Sequence, residues 1–283
     1  MTVPPESPLS LLQAAILGLV EGLTEFLPIS STGHLIVAQR MLGLAEGEAN
    51  NVFAIGIQLG AITAILVLYW RRLLDALRTI ARPEPQRPNL LWQIAIAAVP
   101  AIGLGLLLDD WIDAHLFSTR VVATTLVVGG VLLLALERHL RGKSGGGGAA
   151  GSELAAMSYR TAFWIGVWQC LALVPGTSRA GATIAGALLL GLSRTAAAEF
   201  SFLVGLPILY GAALYKLLGY REMLQGDLLA PFLVGSAVAF VSALAVVKPF
   251  VAFLRRHDFA PFAWYRIVAG VALMVLVGTG WLS

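Results

Sequence analysis

Residues Glu21 to Leu35 read EGLTEFLPISSTGHL, a run that sets two carboxylates, the hydroxyls of Ser30, Ser31 and Thr32, and the imidazole of His34 inside an apolar stretch. Glu21 and Glu25 are spaced i, i+4 and share one helix face. Each carboxylate would cost about 2.5–3.5 kcal/mol at the bilayer centre if it faced lipid. At a helix end both could instead reach water. The largely apolar run from Leu9 to Val20 on one side, with Phe26 and Leu27 on the other, favours a functional site. Two carboxylates four apart can hold a hard divalent cation, and one of them can act as a general base. Ser30 and Ser31 could cap the helix that follows. A cap uses one hydroxyl, and a serine beside a carboxylate or imidazole is also a candidate nucleophile. His34 is then a candidate for proton transfer or phosphate binding.

A second cluster, PGTSRAGAT, spans Pro175 to Thr183. Arg179 needs an anionic partner at membrane depth. Its planar fork matches phosphate oxygens, although a salt bridge to Glu21 or Glu25 would also satisfy it. Gly176 and Gly181 admit close approach of the backbone to a ligand. The helix start behind them offers free N–H groups to an anion, and Thr177, Ser178 and Thr183 add hydroxyls. The two clusters together suggest phosphoryl chemistry, which depends on positioning and charge stabilisation.

The elements that carry these clusters must lie in a membrane. Of the 283 residues 58% are hydrophobic and 12% charged, with a mean hydropathy of +0.82. A soluble domain has about twice that share of charge. The net charge of +3 therefore points to loop Lys and Arg rather than to nucleic acid. Cys170 is the sole cysteine, which excludes an intrachain disulfide. The first ten residues lack the basic stretch of a signal peptide. The three histidines other than His34, namely His115, His139 and His257, read as solvated loop residues.

Six segments are long enough to span: 52–70, 91–108, 119–137, 199–218, 228–247 and 264–282. Trp70, Trp92, Trp111 and Trp281 fall near segment ends as interfacial anchors. Gln58 and Gln169 read as interhelical hydrogen-bonding residues, with support of the site as the alternative.

The sequence also repeats. Residues 33–44 and 181–192 share five identities, at Gly33/Gly181, Ile36/Ile184, Leu42/Leu190, Gly43/Gly191 and Leu44/Leu192. Upstream the two copies align with a one-residue slip. In each copy an apolar arm leads to a Pro/Gly/Ser break and a second arm too short to cross. Both therefore read as re-entrant helix–loop–helix hairpins.

Loop charge orients the chain. Residues 71–90 (Arg71, Arg72, Arg78, Arg82, Arg87), 138–160 (Arg138, Arg141, Lys143, Arg160) and 248–258 (Lys248, Arg255, Arg256) are basic, whereas 109–118 carries Asp109, Asp110 and Asp113. Residues 219–227 are mixed, with Arg221, Glu222 and Asp227. By the positive-inside rule the basic loops face the cytoplasm and the other two face outward. The halves then have opposite orientations, with both termini outside. The reading is an all-α integral membrane protein, 1–283, with six transmembrane helices and two re-entrant hairpins in an inverted-topology repeat. Residues 1–141 form the first repeat, 142–158 a flexible cytoplasmic linker and 159–283 the second repeat.

EGLTEFLPISSTGH and PGTSRAGAT resemble the two signature segments of the undecaprenyl-pyrophosphate phosphatase family, the bacitracin-resistance type. The resemblance extends over nearly the full chain, including YRTAFWIGVWQCLALVPG and SRTAAAEFSFL. It implies a phosphatase of the bacterial inner membrane that converts undecaprenyl pyrophosphate to the monophosphate for cell-wall synthesis, with its site open to the periplasm. It implies catalytic roles for Glu21, Glu25, Ser31, His34 and Arg179. Substrate binding falls to Ser30, Thr32, Gly176, Thr177, Ser178 and Thr183, and Glu21 and Glu25 would hold Mg²⁺ or Ca²⁺. One motif position departs: Ala180 stands where the family has serine. Partners would be the polyprenyl pyrophosphate and the bilayer, with no nucleic acid, and a homodimer left open. Inverted repeats with broken helices are also typical of transporters. An anion carrier or lipid flippase using Arg179 is therefore the competing class.

Overall fold

The computed structural model describes residues 9–44, 48–80, 88–116, 118–143, 152–219 and 228–280. These residues form ten α-helices and two 3₁₀ turns, with no strand among them. The first half holds α1 (Leu11–Thr24), α2 (Ser31–Met41), α3 (Glu48–Thr79), α4 (Leu90–His115) and α5 (Thr119–Lys143). The second holds α6 (Tyr159–Gln169), continued by a 3₁₀ turn at Cys170–Leu173, then α7 (Arg179–Leu189), α8 (Arg194–Gly219), α9 (Leu229–Leu254) and α10 (Ala260–Gly278). Each half thus runs short, short, long, long, long. Helices α3, α4, α5, α8, α9 and α10 are long and apolar enough to cross a membrane.

The four short helices are not. At 1.5 Å per residue α1 is about 21 Å long and α2 about 16 Å, against a hydrocarbon core of about 30 Å. Each short pair turns back on itself. Ser10 caps α1 in a reciprocal box with Gln13, and the Gln13 amide also donates to the Leu42 carbonyl at 3.1 Å. That bond ties the start of α1 to the end of α2. In the second half Ser152 N–H donates to Gly191 O, and Ser193 N–H to Ser152 O, which closes the base of the α6–α7 pair.

The two pairs match at a constant offset of 148: N-caps Ser10 and Ser158, first residues Leu11 and Tyr159, and helices 31–41 and 179–189 all correspond. Ser30 and Ser178 hold left-handed backbones, φ 69° and 72°, and Gly43 and Gly191 close the second arms at φ 70° and 92°. The structural offset removes the one-residue slip of the sequence alignment. Pro28 and Pro175, paired by sequence, consequently fall one position apart.

Small residues let these helices approach. A Cβ on Gly18 would stand 2.2 Å from the Gly235 carbonyl oxygen of α9, and one on Gly22 would stand 2.3 Å from that of Ala239. A Cβ on Gly60 of α3 would stand 2.0 Å from Ser236 O, so α9 wedges between α1 and α3. One on Gly166 of α6 would stand 2.2 Å from Ala97 O of α4, the counterpart contact in the second half. Without a hydrophobic force between helices in lipid, such close backbone contact holds them together.

Several expected loops are helical. Arg71, Arg72 and Arg78 lie on α3, Arg138 and Arg141 on α5, and Lys248 on α9. The apolar windows mark only part of each helix, whose hydrogen-bond ladder runs on through charged residues. Arg72 there meets Glu199 of α8 at 2.8 Å. Glu137, expected as a span end, is buried. It accepts from Arg194 of α8 and from Phe259 N–H at 3.0 Å. Arg141 pairs with Asp258 beside it. His115 and His139 are exposed as expected, but they sit on α4 and α5 rather than in loops; His257 is exposed after α9. Residues 1–8, Arg82, Arg87, residues 144–151 of the 142–158 linker, Arg221, Glu222, Asp227 and Trp281 lie outside the described residues, as do the side chains of Asp109, Asp110, Asp113 and Lys143.

Candidate active site

The α1 helix delivers Glu21 and Glu25 to the end of the first arm. Glu25 is its C-cap, and its N–H donates to Glu21 O. The chain then turns through Pro28 and the left-handed Ser30 into α2. Ser30 makes no side-chain capping bond there. Ser31, the first residue of α2, directs its hydroxyl back onto Glu25 and donates to Oε2 at 2.6 Å. The capping alternative for this serine pair is therefore not realised. In the second loop it is, because Ser178 Oγ accepts from Gly181 N–H at 3.1 Å.

Arg179, the first residue of α7, joins the loops. One terminal nitrogen donates to Glu25 Oε1 at 3.0 Å and the other to Ser201 O of α8 at 2.6 Å. Both side chains are nearly buried, at 10% and 6% exposure, so the pair is little screened by water. A Cβ on Gly205 would stand 2.7 Å from the guanidinium, so α8 leaves the arginine its room. Ser31, Glu25 and Arg179 thus form one hydrogen-bonded line across both loops.

Glu21 stands one turn away, fully buried, with neither carboxylate oxygen meeting a hydrogen-bond donor. A buried carboxylate without a partner needs a proton or a cation. No cluster of three or more His, Cys, Asp or Glu side chains exists among the described residues. The residues present still fit a divalent cation of the Mg²⁺ type, which takes one or two carboxylates and fills its shell with water and phosphate oxygens.

His34, one turn beyond Ser31, bonds elsewhere. Its Nδ1 lies 2.7 Å from Ser30 O, and its Nε2 lies 2.6 Å from the Tyr265 hydroxyl of α10. Thr32 is half-buried on α2. Thr183 is fully buried; its hydroxyl donates to Arg179 O and pairs with Ser201 Oγ at 2.5 Å. That bonding faces α8 rather than the Ser31 line. Gly176 and Gly181 serve protein contacts. A Cβ on Gly176, at φ +85°, would lie 2.2 Å from Thr125 Oγ1, and one on Gly181 would lie 2.9 Å from Arg266. Ala180 is buried in the apolar core. Gln169, expected to bond a neighbouring helix, is buried with both amide atoms unpartnered.

Arg266 is a site residue that reasoning from the sequence misses. It is 1% exposed in the middle of an apolar run. Its guanidinium donates to five carbonyls: Pro28 in the first loop, Gly176 and Thr177 in the second, and Thr125 and Leu126 on α5. The available signal was an arginine inside a predicted span, which is expensive unless it has a task.

The sequence model of the family described as bacitracin resistance protein BacA matches residues 14–272. The chain belongs to the BacA family. Among the similar proteins, an "Undecaprenyl-diphosphatase 2" of Rhodospirillum rubrum is 46% identical over 276 residues, 96% of this chain and 97% of that protein. An "Undecaprenyl-diphosphatase" of Polaromonas sp. is 46% identical over 272 residues, 96% and 95% of the two chains. One of Enterococcus faecalis is 40% identical over 274 residues, 95% and 97% of the two chains. BacA relatives from distant bacteria thus align with this chain almost end to end.

Proposed function

We propose that this BacA-family chain is an undecaprenyl-diphosphatase. It is a multi-pass membrane hydrolase that removes the terminal phosphate of undecaprenyl diphosphate and so returns the lipid carrier to cell-wall synthesis. The observation that carries the mechanism is the line Ser31–Glu25–Arg179. Ser31 Oγ already points its proton at Glu25 Oε2, and so Glu25, not His34, is the base we assign. The serine oxygen attacks the terminal phosphorus, and the bond from that phosphorus to the bridging oxygen breaks. Undecaprenyl phosphate leaves, and a phosphoserine remains. Glu25 passes the serine proton to the departing undecaprenyl phosphate; as a carboxylate again it takes a proton from water, whose oxygen attacks the phosphoserine, and it returns that proton to Ser31 Oγ as inorganic phosphate leaves.

Arg179 neutralises charge on the transferred phosphoryl group, as such transfers require. Its bond to Glu25 pins the loops in the free protein and yields in part to phosphate. Glu21 and Glu25 would hold Mg²⁺ or Ca²⁺, which would supply charge neutralisation at the diphosphate oxygens. Ser30, Thr32, Thr177 and the start of α7 supply the remaining contacts to those oxygens. Thr183 supports Arg179 from behind, through Ser201.

The matched 148-residue offset, with the loop charges, supports an inverted repeat of two re-entrant hairpins. In that arrangement the site lies near the midplane of a bacterial inner membrane, opens to the periplasm and has both termini outside. Every named side chain comes from one chain, so a homodimer would pair two complete sites. Cross-linking in native membranes reads that assembly.

Phosphate release from a farnesyl-type diphosphate by detergent-purified protein tests the reaction. Release is expected, with Ser31→Ala, Glu25→Gln and Arg179→Ala each nearly inactive. A pure transporter releases none. Near-normal turnover in Ser31→Ala alone would replace the serine with direct attack by water.

A further inference from the structure

We propose that Tyr265 is a positioning residue for His34, holding the imidazole in one tautomer and one orientation beside the reacting phosphate. This rests on the phosphatase reading above.

A carbonyl oxygen only accepts. The 2.7 Å contact to Ser30 O therefore places the proton of a neutral His34 on Nδ1. The lone pair is then on Nε2, which lies 2.6 Å from the Tyr265 hydroxyl, and the phenol donates to it. The two rings lie 6° from parallel with centroids 5.5 Å apart. Two hydrogen bonds at opposite edges leave the imidazole little freedom to turn. Ser31 gives its proton to Glu25, so His34 is not its base, and the one lone pair of Nε2 is held by the Tyr265 hydroxyl. The second-step water can donate to Nε2 only by taking the place of the phenol proton, and until it does Tyr265 holds that nitrogen where the water finds it.

The position of Tyr265 is itself set by the site. The next residue, Arg266, is bonded to carbonyls of both loops, so α10 cannot slide relative to them. Tyr265 is 46% exposed, and its loss leaves no cavity in the core.

The test uses full-length protein labelled with ¹⁵N-histidine in detergent micelles. The chain has four histidines, and His34→Gln assigns the signals of His34. The expected spectrum has His34 as the Nδ1–H tautomer. Tyr265→Phe should move its Nε2 resonance downfield and leave Nδ1 nearly in place. In phosphate-release assays Tyr265→Phe should lower kcat about tenfold, the value of one hydrogen bond of ~1.4 kcal/mol, with little change in KM. In the His34→Gln background Tyr265→Phe should cost nothing further. An unmoved Nε2 signal, or a full additive loss in the double variant, overturns the proposal. Absence of any phosphate release by the unaltered protein would instead strike the phosphatase reading, while the spectra still decide the pair.

Discussion

Ser30 and Ser178 hold nearly the same left-handed backbone, yet the loops they close use hydroxyls differently. Ser178 caps its helix, whereas Ser31 turns its hydroxyl to a carboxylate instead. Non-glycine residues at positive φ are uncommon, and here they precede the first residues of α2 and α7, Ser31 and Arg179, both of which bond Glu25. Removal of either partner of Glu25 should lower phosphate release about 100- to 1,000-fold, the usual range for a lost general base or charge-stabilising group. Ser31→Ala in a Glu25→Gln background should cost little more, because the two act as one unit. Glu21 makes a different prediction. A chelator should abolish turnover, and Glu21→Gln should raise the Mg²⁺ concentration for half-maximal rate about 10-fold or more without loss of thermal stability, since no protein donor is left behind. Arg266→Ala should cost about 2–4 kcal/mol in detergent unfolding, because its buried carbonyl partners lose their donor. Arg266→Lys, with fewer N–H groups, should fall between.

Among the helices, glycine placement decides which pairs can touch. Gly18 lies against the Gly235 carbonyl, so Gly18→Val should lower stability by about 3 kcal/mol or more, or prevent assembly. A Cβ on Gly43 would meet nothing within 4 Å, but the residue sits at φ +70°. Gly43→Ala should therefore cost only about 1–2 kcal/mol of backbone strain. Comparison of the two in thermal unfolding separates packing from conformation. Nothing in the residue order marks this difference, since both are glycines in apolar runs. The short arms were legible, because the eleven residues of α2 or α7 cannot cross about 30 Å of hydrocarbon. Helix ends were not, because hydropathy falls after Trp70 although the α3 hydrogen-bond ladder runs on to Thr79.

For the molecule as a whole, the open physical question is the direction of the two halves. With Cys170→Ser as background, single cysteines at Ser10 and Ser158 test it. A membrane-impermeant maleimide applied to intact cells should label position 10 and spare position 158 until the membrane is opened. Equal labelling from outside would remove the inversion and leave two parallel copies. The packing between the halves is reciprocal, as a two-fold relation requires. Helix α1 lies on α9 and α6 lies on α4, so the first helix of each half packs on the fourth of the other, and α3 meets α8, third on third.

Composition, hairpin lengths and the two polar clusters are local properties, and the chain alone determined them: a membrane protein, two broken arms, and acid and hydroxyl on one with a guanidinium on the other. Which atoms meet is a long-range matter. Glu25 and Arg179 are 154 positions apart, and only the folded helices decided that Glu25, rather than Glu21, takes both the arginine and the serine. Tyr265 and Arg266 were hidden for the same reason. Periodicity records that a residue faces inward, but the carbonyls and imidazole that receive it belong to other helices, brought within hydrogen-bonding distance by tertiary packing.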